Sequence, residues 1–171
     1  MKRFLLFVLC FCYLSLGFSQ NKSSIDFVIR NLGINVDGYF KAFTINANFN
    51  TQGELLSIKG KIKVASIETG IESRDEHLLK ADYFDVGNHE YIMLESTTIS
   101  KNPINNYSVT AKLTIKGKTK EITLPIEVSK SSNVYKISSY FEINRKDFDI
   151  GGGSFVMSKT VKIKVVHYQD L

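Results

Sequence analysis

The chain has 171 residues, with 22 Lys and Arg against 17 Asp and Glu, and no Trp. Its only two cysteines, Cys10 and Cys12, fall in an atypical N-terminal stretch, so the remainder has no disulfide, thiol nucleophile or thiolate metal site. A net charge of +5 invites a nucleic-acid partner, but most lysines alternate with apolar residues along strands. That pattern spreads charge over a solvated face and does not gather it with stacking aromatics, so nucleic acid is not the expected partner.

In chain order, the first element is a leader. Lys2 and Arg3 precede an almost wholly apolar run, Phe4 to Leu14, and Gly17 and Ser19 put small residues at −3 and −1 of a cut before Gln20. This reads as a signal peptide over 1–19, its apolar run too short for a comfortable membrane span. The expected location is the periplasm or the extracellular space, and an exported chain without disulfides fits a bacterial envelope. Residues 20–171 then form one domain, long enough to bury about two-thirds of its unfolded surface.

That domain reads as all-β with one short helix. It holds 18 Ile to 9 Leu and many Tyr, Phe and Thr, a bias toward strands. From Tyr107 to Lys116 every odd position is apolar or small and every even one is Ser, Thr or Lys. The same alternation recurs over 121–128 and 161–165, which means one face buried and one wet. Eight strands follow: roughly 24–31, 36–49, 54–67, 91–100, 106–116, 120–129, 134–145 and 159–168. Short turn-rich links make neighbours antiparallel. Pro125 cannot donate to a ladder, so its strand should have a bulge or a free edge there.

One segment, 67–85, breaks the pattern. Ser73 and Glu76 have capping-box spacing, which predicts a helix over about 74–82. Leu78, Ala81 and Phe84 would then point down as a lid or plug.

Eight amphipathic antiparallel strands bury one face by closing into a barrel or by stacking as two sheets. The inward set by alternation contains no charged residue, with Ala47 and Ala111 among its small members. Alternation does not distinguish a filled core from an apolar tunnel. A membrane-spanning barrel would need the reverse arrangement, an apolar exterior and a polar lumen, and the lysine-rich face makes a costly lumen.

Several stretches carry a resemblance: FVIRNLGINVDGYFKAF (27–43), SIETGIESRDEHLLKADYFD (66–85), YIMLEST (91–97), LTIKGKTKEITLPIEV (113–128) and EINRKDFDI (142–150). In this order they resemble the YceI-like family of polyisoprenoid-binding proteins over nearly all of residues 20–171. The resemblance implies an eight-stranded antiparallel lipocalin-like β-barrel with the tail of an amphiphile in an apolar tunnel. The inward residues read from the alternation and the helix, which the resemblance makes tunnel lining, are Phe27, Ile29, Phe40, Phe43, Ile45, Phe49, Ile62, Val64 and Leu78. Continuing along the chain, they are Phe84, Ile92, Leu94, Val109, Leu113, Ile115, Ile137, Phe141 and Ile143. Rim polar groups would be Asn31, Arg74 and His77. Asn31 stands where the family commonly has His, and Glu90 where it commonly has Pro. Residues 151–157 do not align with the family pattern.

Other chemistry is weaker. Ser73, Arg74, Asp75 and His77 have the ingredients of an acid–base site, but neighbours in one helical turn point in different directions. His77, His89 and His167 lack close ligand spacing, so no metal is expected. Gly151-Gly-Gly-Ser154 matches a phosphate cradle only in composition. The expectation is therefore a non-enzymatic carrier of a long-chain amphiphile (isoprenoid, isoprenoid quinone or fatty-acyl lipid), with no cofactor. Transient membrane-surface contact and a homodimer are compatible with it. The alternative is a packed barrel serving as a protein-interaction module in the envelope.

Overall fold

The structure, a computed structural model, describes residues 22–103 and 106–171. The expected signal peptide lies outside them. The alternating stretches form strands β1 (Ser24–Asn31), β2 (Ile34–Phe40), β3 (Phe43–Phe49), β4 (Leu55–Lys63) and β5 (Ile67–Glu68). Helix α1 (Glu72–Leu78) follows, then β6 (Tyr91–Asn102), β7 (Asn106–Ile115), β8 (Lys118–Ser131), β9 (Val134–Asn144) and β10 (Met157–Asp170). All ten lie in one curled antiparallel sheet, ordered β3-β4-β6-β7-β8-β9-β10-β1-β2-β5.

The count of ten corrects the expected eight. Two long strands each bend at one shared corner. Residues 36–49 pair with β1 up to Tyr39, then turn at Lys41-Ala42 and pair with β4. The partner run turns alongside it through a 3-10 turn, Val64–Ser66, before β5 meets the end of β2. Lys41 N–H donates to the Ser66 carbonyl (3.0 Å) and Lys63 N–H to that of Ala42 (2.9 Å), so the corner stays hydrogen-bonded. The bend curls the sheet until β3 faces β10. No ladder joins those two; instead the Gln169 amide acts as a peptide substitute. Its Oε1 accepts from Ala47 N–H (3.0 Å) and its Nε2 donates to the Ala47 carbonyl (2.8 Å).

Pro125 has the expected effect. The β8–β9 ladder begins only at Glu127 paired with Ser138, and the Ser139 hydroxyl donates to the Pro125 carbonyl (2.5 Å). Inside strands, one glycine is obligatory: a Cβ at Gly38 would sit 2.3 Å from the Phe27 ring and 2.9 Å from the Glu68 carbonyl.

The helix differs from expectation. It starts two residues earlier, and Ile71 at its N-cap offers no side-chain cap, so the Ser73–Glu76 capping box does not form. The start is held instead by Asp75, whose carboxylate reaches back to the amide (3.0 Å) and hydroxyl of Thr69. After Leu78 the chain passes into tight turns, with Phe84 N–H returning to the Leu78 carbonyl (3.0 Å). Leu78 and Phe84 pack inward as anticipated, while Ala81 is exposed.

The interior has two regions. One is solid: Ala47, Leu55, Ile58, Tyr107, Val109, Ala111, Tyr135 and their neighbours pack together, with Phe49 stacked on Tyr135 at 3.9 Å. The other lies toward α1, around Ile25, Phe40, Ile67, Ile92, Leu113, Ile115, Phe148 and Ile150. Outward positions such as Lys112, Lys136, Lys162 and Lys164 are exposed, the reverse of a lipid-facing barrel. Ala111 is fully buried in the solid region. Ala111→Phe is therefore expected to overpack it and cost roughly 1–3 kcal/mol, read as a lower denaturation midpoint.

Candidate functional site

Strand register stacks side chains in layers. On β1 the inward residues Ile25, Phe27 and Ile29 lie opposite Val165, Ile163 and Val161 of β10. Those in turn pair with Ser139, Phe141 and Ile143 of β9. The layers do not meet across the interior. They enclose a cavity of about 360 Å³, within the usual range of roughly 300–1,000 Å³ for small-molecule pockets. From Ile25 to Asn31 the wall runs six strand steps, or about 20 Å.

Most expected tunnel residues border this space. Phe27, Ile29, Phe40, Ile45, Ile62, Leu78 and Phe84 do, as do Ile92, Leu94, Leu113, Ile115, Ile137, Phe141 and Ile143. Four expected tunnel residues are elsewhere. Val109 is sealed in the solid region, and Phe49 is stacked at its edge. Val64 is 1% exposed in the 3-10 turn of the corner, where the strand alternation is lost. Phe43, just past the bend, packs against the α1-side core without reaching the cavity.

Strand patterning pointed to other lining residues that the expected set omits. Leu124 and Ile126 continue the even alternation of β8, and Val161, Ile163 and Val165 the odd alternation of β10. Gly60 also lines the cavity and leaves room beside it.

Polar groups concentrate at the α1 end. Asn31, Thr69, Arg74, His77, Tyr83 and Arg145 all line it. His77 is also exposed, so the cavity meets solvent here. Arg74 donates from Nε to the Thr69 hydroxyl (2.7 Å) and from Nη2 to the Thr69 carbonyl (2.6 Å). Arg74 and Asp75 thus grip the same threonine. His77 stands outside that network, edge-on to Tyr83 at 4.9 Å. Among the described residues no three His, Cys, Asp or Glu gather as a metal cluster.

Arg145 overturns the expectation of an uncharged interior. It is 1% exposed, and its Nε donates to the Ser158 carbonyl (2.8 Å). Nη1 donates to Ile150 (2.6 Å), and Nη2 to Met157 (3.0 Å) and Ser154 (3.3 Å). Burial lowers its pKa from the ordinary arginine value, yet a guanidinium stays protonated in proteins. Its role is to fold the 150–158 loop about itself. The Asn144 carboxamide starts the turn by accepting from Lys146 N–H (3.1 Å). Lys116, in the β7–β8 turn, donates to the carbonyls of Ala81 (2.6 Å) and Asp149 (3.1 Å). Three of the stretches that carry the family resemblance therefore converge on this end and lock it.

Among the described residues, two buried polar atoms in the cavity wall have no partner: Asn31 Oδ1 and His167 Nε2. His167 lies at the far end of β10. Ser23 Oγ accepts from Tyr168 N–H (3.0 Å) and shares a hydrogen bond with His167 Nδ1 (3.0 Å). Burial is the main influence on His167 and pushes its pKa below the ordinary value. Below an unfolded value of about 6.5 the unfolded chain binds this proton more readily than the folded one, so stability should fall as pH drops through that point. His167→Gln should flatten the fall, as measured by melting temperature between neutral and mildly acid pH.

A family model for the YceI-like domain matches residues 17–167. A UPF0312 protein of Staphylococcus epidermidis is 31% identical over 164 residues, covering 86% of this chain and 92% of that protein. A UPF0312 protein of Serratia proteamaculans is 32% identical over 111 residues, covering 64% and 57%. Among solved structures, Burkholderia cenocepacia BcnA superposes with a TM-score of 0.80 at 27% identity, covering 86% of this chain and 96% of that one. A Campylobacter jejuni YceI protein gives 0.77 at 23% identity, covering 100% and 99%. On the strength of the family model and the near-complete alignment with the staphylococcal protein, the chain belongs to the YceI-like family.

Proposed function

We propose that this chain is an exported, non-enzymatic carrier that sequesters a long-chain amphiphile (an isoprenoid, an isoprenoid quinone or a fatty-acyl lipid) in its half-hollow interior. The observation that carries the reading is the cavity, apolar along its walls and bordered by the unpartnered Asn31 Oδ1. A buried acceptor without a donor costs about 1–3 kcal/mol, and a ligand hydroxyl at the mouth would relieve it. Each buried methylene contributes about 0.8 kcal/mol, so a tail of about a dozen carbons offsets the several kcal/mol lost on association. A domain from Saccharophagus degradans described as polyisoprenoid binding shares the fold, at a TM-score of 0.68 and 17% identity, covering 87% of this chain and 94% of that one. Arg74 and His77, which line the same cavity as Asn31, are further rim groups, and the leader over 1–19 would deliver the carrier to the periplasm or outside. A homodimer is compatible with this role.

Native mass spectrometry of protein purified gently from its own cells tests the reading. A bound lipid mass is expected; a bare mass in every preparation would favour an interaction module that keeps its cavity empty. Hydrolysis of a lipid ester that disappears in His77→Ala would overturn the non-enzymatic part.

A further inference from the structure

Beside the cavity mouth, two loop tips present large apolar side chains to water. The β1–β2 turn carries Leu32, 71% exposed, and Ile34, 70% exposed. The loop before β10 carries Phe155, wholly exposed, and Val156. The tips are joined, since Leu32 N–H donates to the Val156 carbonyl (3.0 Å). They also meet the cavity directly, because Asn31 and Met157, paired across β1 and β10, line it.

Leu32 is in an unusual place for a leucine. Its φ is +50° and that of Gly33 is +81°, the turn geometry that favours Asn-Gly. Holding a branched apolar residue there costs backbone energy, and its side chain recovers nothing by burial. Folding alone does not call for this residue. Phe155, fully exposed, likewise contributes nothing to the core.

The charged residues between the tips are all basic. A shallow depression runs between them, lined by Arg30, Lys146 and Lys159 beside Phe155 and Val156, with no acid among its lining residues. Arg30 is tethered to the turn by donating from Nε to the Gly33 carbonyl (2.9 Å). Asp37 and Asp147, close in sequence, are exposed and outside the depression.

We propose that Leu32, Ile34, Phe155 and Val156 form a docking tip that inserts shallowly into an anionic phospholipid bilayer, with Arg30, Lys146 and Lys159 on the head groups. Apolar knobs ringed by cations bind such interfaces through burial and surface potential together. Protein interfaces are depleted in lysine, whereas two of the three cations here are lysines. The placement sets the cavity mouth against the membrane, where a long tail could pass between bilayer and barrel without crossing water. This purpose rests on the carrier reading; the docking itself does not.

The test is co-sedimentation of the protein, as purified from its own cells, with two kinds of vesicle: phosphatidylcholine alone, and phosphatidylcholine mixed with phosphatidylglycerol. Wild type should partition onto the anionic vesicles and release in high salt, as a surface charge interaction requires. Leu32→Asn should keep or raise thermal stability and yet weaken partitioning by about tenfold, the weight of one large apolar side chain. Phe155→Ser should act likewise, and Lys146→Glu with Lys159→Glu should abolish the preference for anionic lipid. A fluorescent polyprenyl probe supplied on cyclodextrin should still bind every variant. Wild type indifferent to both vesicles, or Leu32→Asn binding as wild type, would overturn the docking tip. So would a dimer in sedimentation that dissolves with Leu32→Asn and Phe155→Ser, since a second copy would then be the occupant. Docking by a wild type that takes up no probe would leave the tip standing and remove the carrier reading.

Discussion

Arg145→Ala should lower folding stability by about 3 kcal/mol or more, the largest single loss expected in this chain. The guanidinium is almost fully buried and faces backbone carbonyls only, those of Ile150, Ser154, Met157 and Ser158. Hydrogen bonds from a charged donor are worth about 1.5–3 kcal/mol each, and truncation leaves several acceptors dry at once. Arg145→Lys should recover only part, because one ammonium cannot reproduce a planar fork directed at separate carbonyls. Denaturant midpoints at constant m-value measure the effect. A change of less than about 0.5 kcal/mol, ordinary for surface positions, would mean that the loop holds itself. Lipid uptake should fall as well, since the loop and Met157 form one side of the mouth.

Gly60→Phe should abolish binding of a fluorescent polyprenyl probe while leaving the ligand-free melting temperature close to that of wild type. Gly60 lies between Ile45 and Leu94 on neighbouring strands and lines the cavity. A Cβ there would approach only Leu94 Cβ, at an ordinary 3.7 Å, so a ring has empty space to enter. Strand propensity favours the aromatic over glycine, which offsets part of any strain. The paired control is Ala111→Phe, a slightly smaller enlargement placed in the solid region, where stability should drop. Undiminished probe binding by a folded Gly60→Phe protein would remove the cavity as the ligand site.

Local periodicity made much of this legible before the structure. A period of two placed nearly every strand, and Pro125 announced the interrupted ladder. What escaped was long-range. Lys41-Ala42 contains no glycine or proline, so nothing in the local sequence marks the corner that turns eight runs into ten strands. The Ser73–Glu76 spacing was satisfied by chance, because Asp75 reaches Thr69 only through the backward path of the chain. Arg145 is a different kind of miss. Odd positions 137, 139, 141 and 143 face inward on β9, and the next odd position is Arg145. The alternation pointed inside, and only the habit of placing charge outside argued against it. The carbonyls that make its burial tolerable come from residues up to 13 positions away, which no alternation records.

The seam between the chain's two ends bears on how the protein comes to be folded. The first strand takes its place beside the last: Ser23 and His167, 144 residues apart, share a hydrogen bond, and β10 pairs with β1 on one side and β9 on the other. Such distant pairings carry a high loop-closure cost and belong to slow-folding topologies. Until the residues of β10 are available, β1 and β2 have no neighbour on that side and the apolar lining stays open. A chain emerging through a narrow pore, N-terminus first, would therefore stay pliable for nearly its whole passage. The same delay exposes sticky strands for longer, so the interval before β10 arrives is when a chaperone would matter most.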